Sequence, residues 1–182
     1  MCDMELKQII EQCKKNVRNA QNALFRMYAP VLKSICLRYL KNEVDAEDAL
    51  VKGFYKIFSN IKAYSGLGSF EGWMKRIVIN ECLMLLRKNH NFNLTIPIED
   101  VPGHRMKIEF EDLLTYDEII KLLDDLPTGY RTIFNMYVIE GYKHREIANQ
   151  LNISINTSKS QLILARKKLQ KLIKKKLNIK SA

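Results

Sequence analysis

The stretch YKHREIANQLNISINTSKSQLILARKKL, residues 142–169, decides the fold. Its first half predicts a short helix over 142–151, with Ile147, Ala148 and Leu151 at the spacing of a buried stripe. Asn152 tolerates the left-handed backbone that ends many helices. Ser154 is a good N-cap, and a second helix follows with Thr157, Ser158, Leu162, Ala165 and Leu169 facing inward. Two helices joined by so tight a turn make a helix-turn-helix. The expected exposed face of the second helix carries Lys159, Ser160, Gln161 and Arg166, side chains that suit phosphates and base edges.

Charge points the same way. Residues 126–182 hold twelve Lys or Arg and two acids, Glu140 and Glu146, so this segment is +10. Residues 1–125 hold eighteen basic and eighteen acidic residues and sum to zero. A basic tail beside a helix-turn-helix is the electrostatic footprint of a nucleic-acid binder.

The rest of the chain predicts an all-α protein. Apolar residues recur at helical period nearly throughout its 182 residues, with seven Gly and four Pro. Hydrophobic residues at 47% exclude a disordered chain. No apolar run reaches the about eighteen residues that span a bilayer, and MCDMELKQII lacks a signal-peptide layout. A cytoplasmic protein is expected. Cys13, Cys36 and Cys82 fall on apolar faces, and neither they nor Cys2 form a C-x-x-C pair. His90, His104 and His144 are scattered. There is no Gly-rich phosphate loop, paired catalytic constellation or metal set, so no catalytic residue, metal, cofactor or small-molecule substrate is expected.

In chain order, residues 4–19 predict a first helix with Val17 inward, and 22–40 a second that Pro30 kinks or divides. Asp45 reads as the cap of a third, with Glu47 and Asp48 in its first turn and Leu50, Phe54, Ile57 and Phe58 along it. That acidic start reads as capping, as a docking surface for a basic partner, or as both. KAYSGLGS, residues 62–69, is a loop, and Ser69 caps a fourth helix. Trp73 there reads either as core or, with Lys75 and Arg76, as an aromatic and basic surface for single-stranded DNA. Periodicity fails over 90–110, where Pro97, Pro102 and Gly103 stand, and 99–125 holds nine acids and three bases. A helix over 113–126, another over 129–139 and the helix-turn-helix complete the chain. The Lys-rich tail reads as a continuation of the last helix, or as an amphipathic membrane-surface segment.

Three blocks carry a resemblance. They are D-A-E-D with F-x-x-x-F (Asp45 to Phe58), GSFEGWMKRIVIN (68–80), and L-P-x-x-Y-R, E-G-Y-x-x-x-E-I-A, T-x-K-S and A-R-K-x-L within 126–169. In this order they resemble the extracytoplasmic-function (ECF) sigma factors of bacterial RNA polymerase. The resemblance implies a sigma-2-like domain over 1–90, a flexible acidic linker over 91–112 and a sigma-4-like helix-turn-helix domain over 113–182. It implies no enzymatic activity. Core RNA polymerase is the implied partner, through the clamp helices of its largest subunit and the flap of its second-largest. Promoter DNA is the second partner and an anti-sigma factor a third. Asp45, Glu47, Asp48 and Phe54 match the clamp-docking segment, and the apolar helix around Ile133 to Tyr137 the flap-docking one. Tyr64, Ser65, Gly66, Trp73, Lys75, Arg76 and Asn80 match the part that opens the minus-ten element and pockets a flipped base. Thr157, Lys159, Ser160, Gln161 and Arg166 match the minus-thirty-five reader.

The chain departs from the family at Ser158, where Val is usual, at Gln161 and Leu164, where many members carry Arg, and at Val51 and Lys52, which replace Gln-Glu. These changes imply a weaker or differently read minus-thirty-five sequence and a less acidic docking helix. Two other readings compete. One is a stand-alone helix-turn-helix regulator, which leaves the first two blocks unexplained. The other is an adaptor built on the N-terminal helices.

Overall fold

The computed structural model describes residues 3–88 and 115–180, and every regular element among them is helical. The chain divides into two compact units, Met1–Asn89 and His90–Ala182. The segment expected to link them, 91–112, lies outside the described residues.

The first unit holds α1 (Asp3–Lys14), α2 (Arg18–Leu40), α3 (Glu43–Asn60) and α4 (Phe70–Lys88). The first helix ends earlier than its apolar spacing predicts. Asn16 takes a left-handed φ of 60°, and Val17 becomes the N-cap of α2, 40% exposed instead of inward. Pro30 does not divide α2, which runs on through it. Pro30 is exposed, so the backbone acceptor it leaves unpaired can turn to water. The cap of α3 is Asn42, whose side chain accepts the Val44 N–H at 2.8 Å, rather than Asp45. Leu24, Leu32, Cys36, Tyr39, Ile57, Met74, Val78 and Cys82 make the core at 0% to 1% exposure. Cys13 is equally buried, so the three described thiols act as small hydrophobes. Gly53 lets α3 approach α4 closely: a Cβ built there lies 2.7 Å from Val78 Cγ2. One buried acid, Glu81 at 5% exposure, meets Lys56 at 2.6 Å and ties α4 to α3.

The second unit holds α5 (Tyr116–Leu123), α6 (Thr128–Phe134), α7 (His144–Leu151) and α8 (Ile155–Lys180). Thr115 and Glu118 close a reciprocal capping box on α5. Past α6 the backbone widens into a π turn over Asn135–Ile139, where the Glu140 N–H reaches Asn135 O at 2.9 Å. The chain then turns at Gly141, φ 76°. Leu123, Ile133, Met136, Ile147, Ala165 and Leu169 form the core. The tail carries straight on as one 26-residue helix, and Lys176 meets Glu118 of α5 at 3.4 Å.

Candidate nucleic-acid interface

The helix-turn-helix forms as its residues predict. Asn152 ends α7 with φ 54°. Ser154 Oγ accepts the Thr157 N–H at 2.9 Å and lies 2.8 Å from the Thr157 hydroxyl. Thr157 is therefore half-buried and committed to the cap. Lys159 is exposed, while Ser160 and Arg166 are half-buried. Gln161 corrects the expectation. It lies at 1% exposure, three residues after buried Ser158 and four before buried Ala165, and so sits on the inward stripe. Two exposed residues that the reading missed, Ile155 and Asn156, open α8 beside Lys159. Asn156 suits a base edge, since a side-chain amide both donates and accepts.

Ser158 replaces an apolar contact with a polar one. It is fully buried, and its hydroxyl lies 2.9 Å from His144 Nδ1. The imidazole stacks on Tyr137 with ring centres 4.3 Å apart. Burial, with Lys159 and Arg166 nearby, pushes the His144 pKa below its ordinary value. The helix around Ile133 to Tyr137 is turned inward: Ile133, Phe134 and Met136 are buried, and Tyr137 is half-buried under His144. Val138, the residue after this segment, is 46% exposed.

The minus-ten candidates of the first unit gather on one ledge. Loop 64–69 is pinned by the Tyr64 hydroxyl, which donates to Gly68 O at 2.8 Å. Gly66 and Gly68 take φ of 78° and 84°, backbone that other residues adopt only with strain. Ser65 and Gly66 are exposed, and between the glycines Leu67 stands out at 87% exposure, an apolar tip the sequence reading passed over. Ser69 Oγ accepts the Gly72 N–H at 3.3 Å and starts α4. Trp73 is neither core nor free. It is half-buried, 5.5 Å from both the Tyr64 and Phe70 ring centres. Arg76 and Asn80 are exposed and share its helical stripe. Lys75 lies off that stripe, bound to Glu71 at 2.7 Å.

On α3, Lys33 of α2 sits between Glu43 and Glu47, at 2.8 and 2.9 Å. The two carboxylates raise its pKa. Asp48 holds Lys52 at 2.6 Å. Asp45 has no ion pair among the described residues. Phe54 corrects the docking set. At 3% exposure it packs on Phe25, 4.6 Å between ring centres, inside the first unit rather than on its surface. The exposed apolar residues of α3 are instead Val44, Val51 and Tyr55, at 73%, 64% and 74%. With Asp48 they form one stripe at four-three-four spacing. Nothing in their residue types marks such exposed hydrophobes in advance. Among the described residues no group of acids, His or Cys is placed to hold a metal, and no helix is long and apolar enough to cross a membrane.

Comparison with known proteins accounts for both units. Residues 24–92 match the family described as Sigma-70 region 2, and 116–169 match Sigma-70, region 4. The ECF RNA polymerase sigma factor SigW of Bacillus subtilis is 26% identical, over 94% of this chain and 98% of its own length. SigE of Mycolicibacterium smegmatis is 28% identical over 84% of this chain, which spans 61% of that relative's length. Among solved structures, the fold resembles the sigma factor RpoE in complex with the anti-sigma factor NepR from Bartonella quintana. That likeness has TM-score 0.52 and 22% identity, and covers 84% of this chain and 96% of that one. Two sigma-70 family regions in order, each folded as its own helical unit, place this chain among the ECF sigma factors of RNA polymerase.

Proposed function

We propose that this sigma factor binds core RNA polymerase, reads and opens promoter DNA through its two units, and itself performs no chemistry. One observation carries the reading: a ledge with a half-buried aromatic and an exposed cation in the first unit accompanies a helix-turn-helix in the second. Opening a promoter means extracting a base, at a cost of a few kcal/mol. Stacking on an aromatic offsets about 1 to 3 kcal/mol per base. Trp73 with Arg76 and Asn80 supplies the stack, the cation and the amide; Tyr64, Ser65 and Gly66 shape the pocket. In the second unit Lys159, Ser160 and Asn156 face the major groove, and Arg166 and the lysines after it hold phosphates. Thr157 fixes the cap, and Gln161 packs inside. The α3 face of Asp45, Glu47, Asp48, Val44, Val51 and Tyr55 docks on the polymerase clamp helices. Val138, the exposed apolar residue next to the Ile133–Tyr137 segment, is added to the flap-docking surface. The protein works in the cytoplasm, where polymerase is, with its domains at 1–90 and 113–182.

A second partner class is an anti-sigma factor, since the similar RpoE structure is a complex with one. A stand-alone regulator would give the ledge of loop 64–69 and α4, and the α3 stripe, no task. DNA binding with and without core polymerase separates the two. A sigma factor binds promoter DNA tightly only with core. Specific duplex binding by the protein alone, unchanged by core, would sink the proposal.

A further inference from the structure

The cavity beside loop 64–69 has a second wall. It is an open cleft of about 570 Å³, with Tyr64, Ser65 and Phe70 on one side and Lys7, Glu11 and Lys14 of α1 on the other. Residues 1–23 precede the Sigma-70 region 2 match at 24–92, so that match assigns α1 no role. Lys7, Glu11 and Lys14 recur at four-three spacing and share one helix stripe.

Charge on this wall is nearly cancelled. Glu11 meets Lys14 at 2.8 Å, and Glu71 at the cavity edge meets Lys75 at 2.7 Å. Lys7 is exposed and has no ion pair among the described residues, so the wall keeps one uncompensated cation at its rim. Inside, the aromatic surfaces of Tyr64 and Phe70 adjoin paired donors and acceptors. One unpaired nucleotide has the complementary layout: a flat base with polar edges, and a phosphate that stays outside.

We propose that α1 forms the far wall of the pocket that takes an unpaired promoter base, and that Lys7 holds a phosphate beside that base. The proposal rests on the promoter-opening reading above and adds a positioning residue to it.

The test uses holoenzyme assembled from core polymerase and the full chain. Affinity is measured for forked promoter DNA with an unpaired minus-ten strand. Each phosphate flanking an unpaired base is replaced in turn by a neutral methylphosphonate. The wild type is expected to lose about fivefold at one position, as for one solvent-accessible ion pair. Lys7→Ala is expected to bind the natural DNA about fivefold more weakly, to lose nothing further at that position, and to lower the salt slope by about one. Lys15→Ala, the same charge change outside the cavity, keeps the wild-type profile. Equal methylphosphonate losses in wild type and Lys7→Ala at every position overturn the proposal, as does a Lys15→Ala loss that matches Lys7→Ala. If wild-type holoenzyme does not prefer promoter forks to scrambled forks, the underlying reading fails, and this one with it.

Discussion

Ser158 shows how one residue resets a core. Its hydroxyl and His144 Nδ1 satisfy each other at 2.9 Å in a site where the hydroxyl has no access to water. Ser158→Ala leaves the ring nitrogen without that partner and is expected to cost about 1 to 2 kcal/mol, read as a lower denaturation midpoint of the full chain. In the His144→Leu background the same change should cost much less. The pH dependence follows from the depressed His144 pKa, caused first by burial and then by Lys159 and Arg166 of α8. Tyr137 covers the ring from the π turn. The unfolded chain takes up a proton near the ordinary value, about 6.5, before the folded chain does. Stability from this group is therefore complete above about pH 6.5 and is lost as pH falls through and below it. The difference in thermal midpoint between wild type and His144→Gln should shift against the wild type between pH 7.5 and 5.5; a flat difference would refute the assignment. The turn was legible at this scale, because Asn152 and Ser154 act through local backbone chemistry. Gln161 and Phe54 were not. Residue type placed the amide outside and the family resemblance put the aromatic in the docking set, while the spacing of each to buried neighbours puts both inside.

Gly53 sets the packing between elements. Alanine there forces its Cβ to within 2.7 Å of Val78 Cγ2, on a side chain already fully buried. Gly53→Ala is expected to cost about 1 to 3 kcal/mol by overpacking. Val78→Ala in the same chain should return part of that loss, which thermal denaturation of the two variants would show. Since α4 carries Trp73, Arg76 and Asn80, the close approach also fixes where the ledge stands on α3. Helix identity was legible from apolar periodicity; helix ends were less so. Val17 follows Cys13 by four residues and extends the apparent stripe, yet the left-handed Asn16 stops α1 before it. Pro30 signals a break that α2 avoids by keeping it on the solvent side. The π turn over Asn135–Ile139 has no sequence signature, because it arises from one extra residue between two well-packed segments.

Over the whole molecule, charge is divided by task. The basic segment 126–182, net +10, holds the helix-turn-helix proposed to read the groove, while 1–125 sums to zero and mixes the acidic residues proposed for docking with the ledge of loop 64–69 and α4. Replacing Lys167 and Lys168 together by Ala should weaken holoenzyme binding to all promoter sequences alike and lower the salt slope by about two. A change confined to one base position would instead make them base readers. The assignment to sigma factors was legible because three motif blocks occur in family order; the exposed stripe of Val44, Val51 and Tyr55 was not, since only the folded α3 reveals which hydrophobes its own core leaves uncovered. The most direct measurement is transcription by core polymerase with and without this protein. The template is a promoter supplied as full duplex and with its minus-ten element pre-opened by mismatches. Initiation should require the protein. The exposed-surface double variant Arg76→Ala with Asn80→Ala should fall about tenfold or more on the duplex, because it lacks contacts that offset base extraction, and recover on the open template. Initiation that never depends on the protein would contradict the account, and an equal loss on both templates would remove the ledge from strand opening.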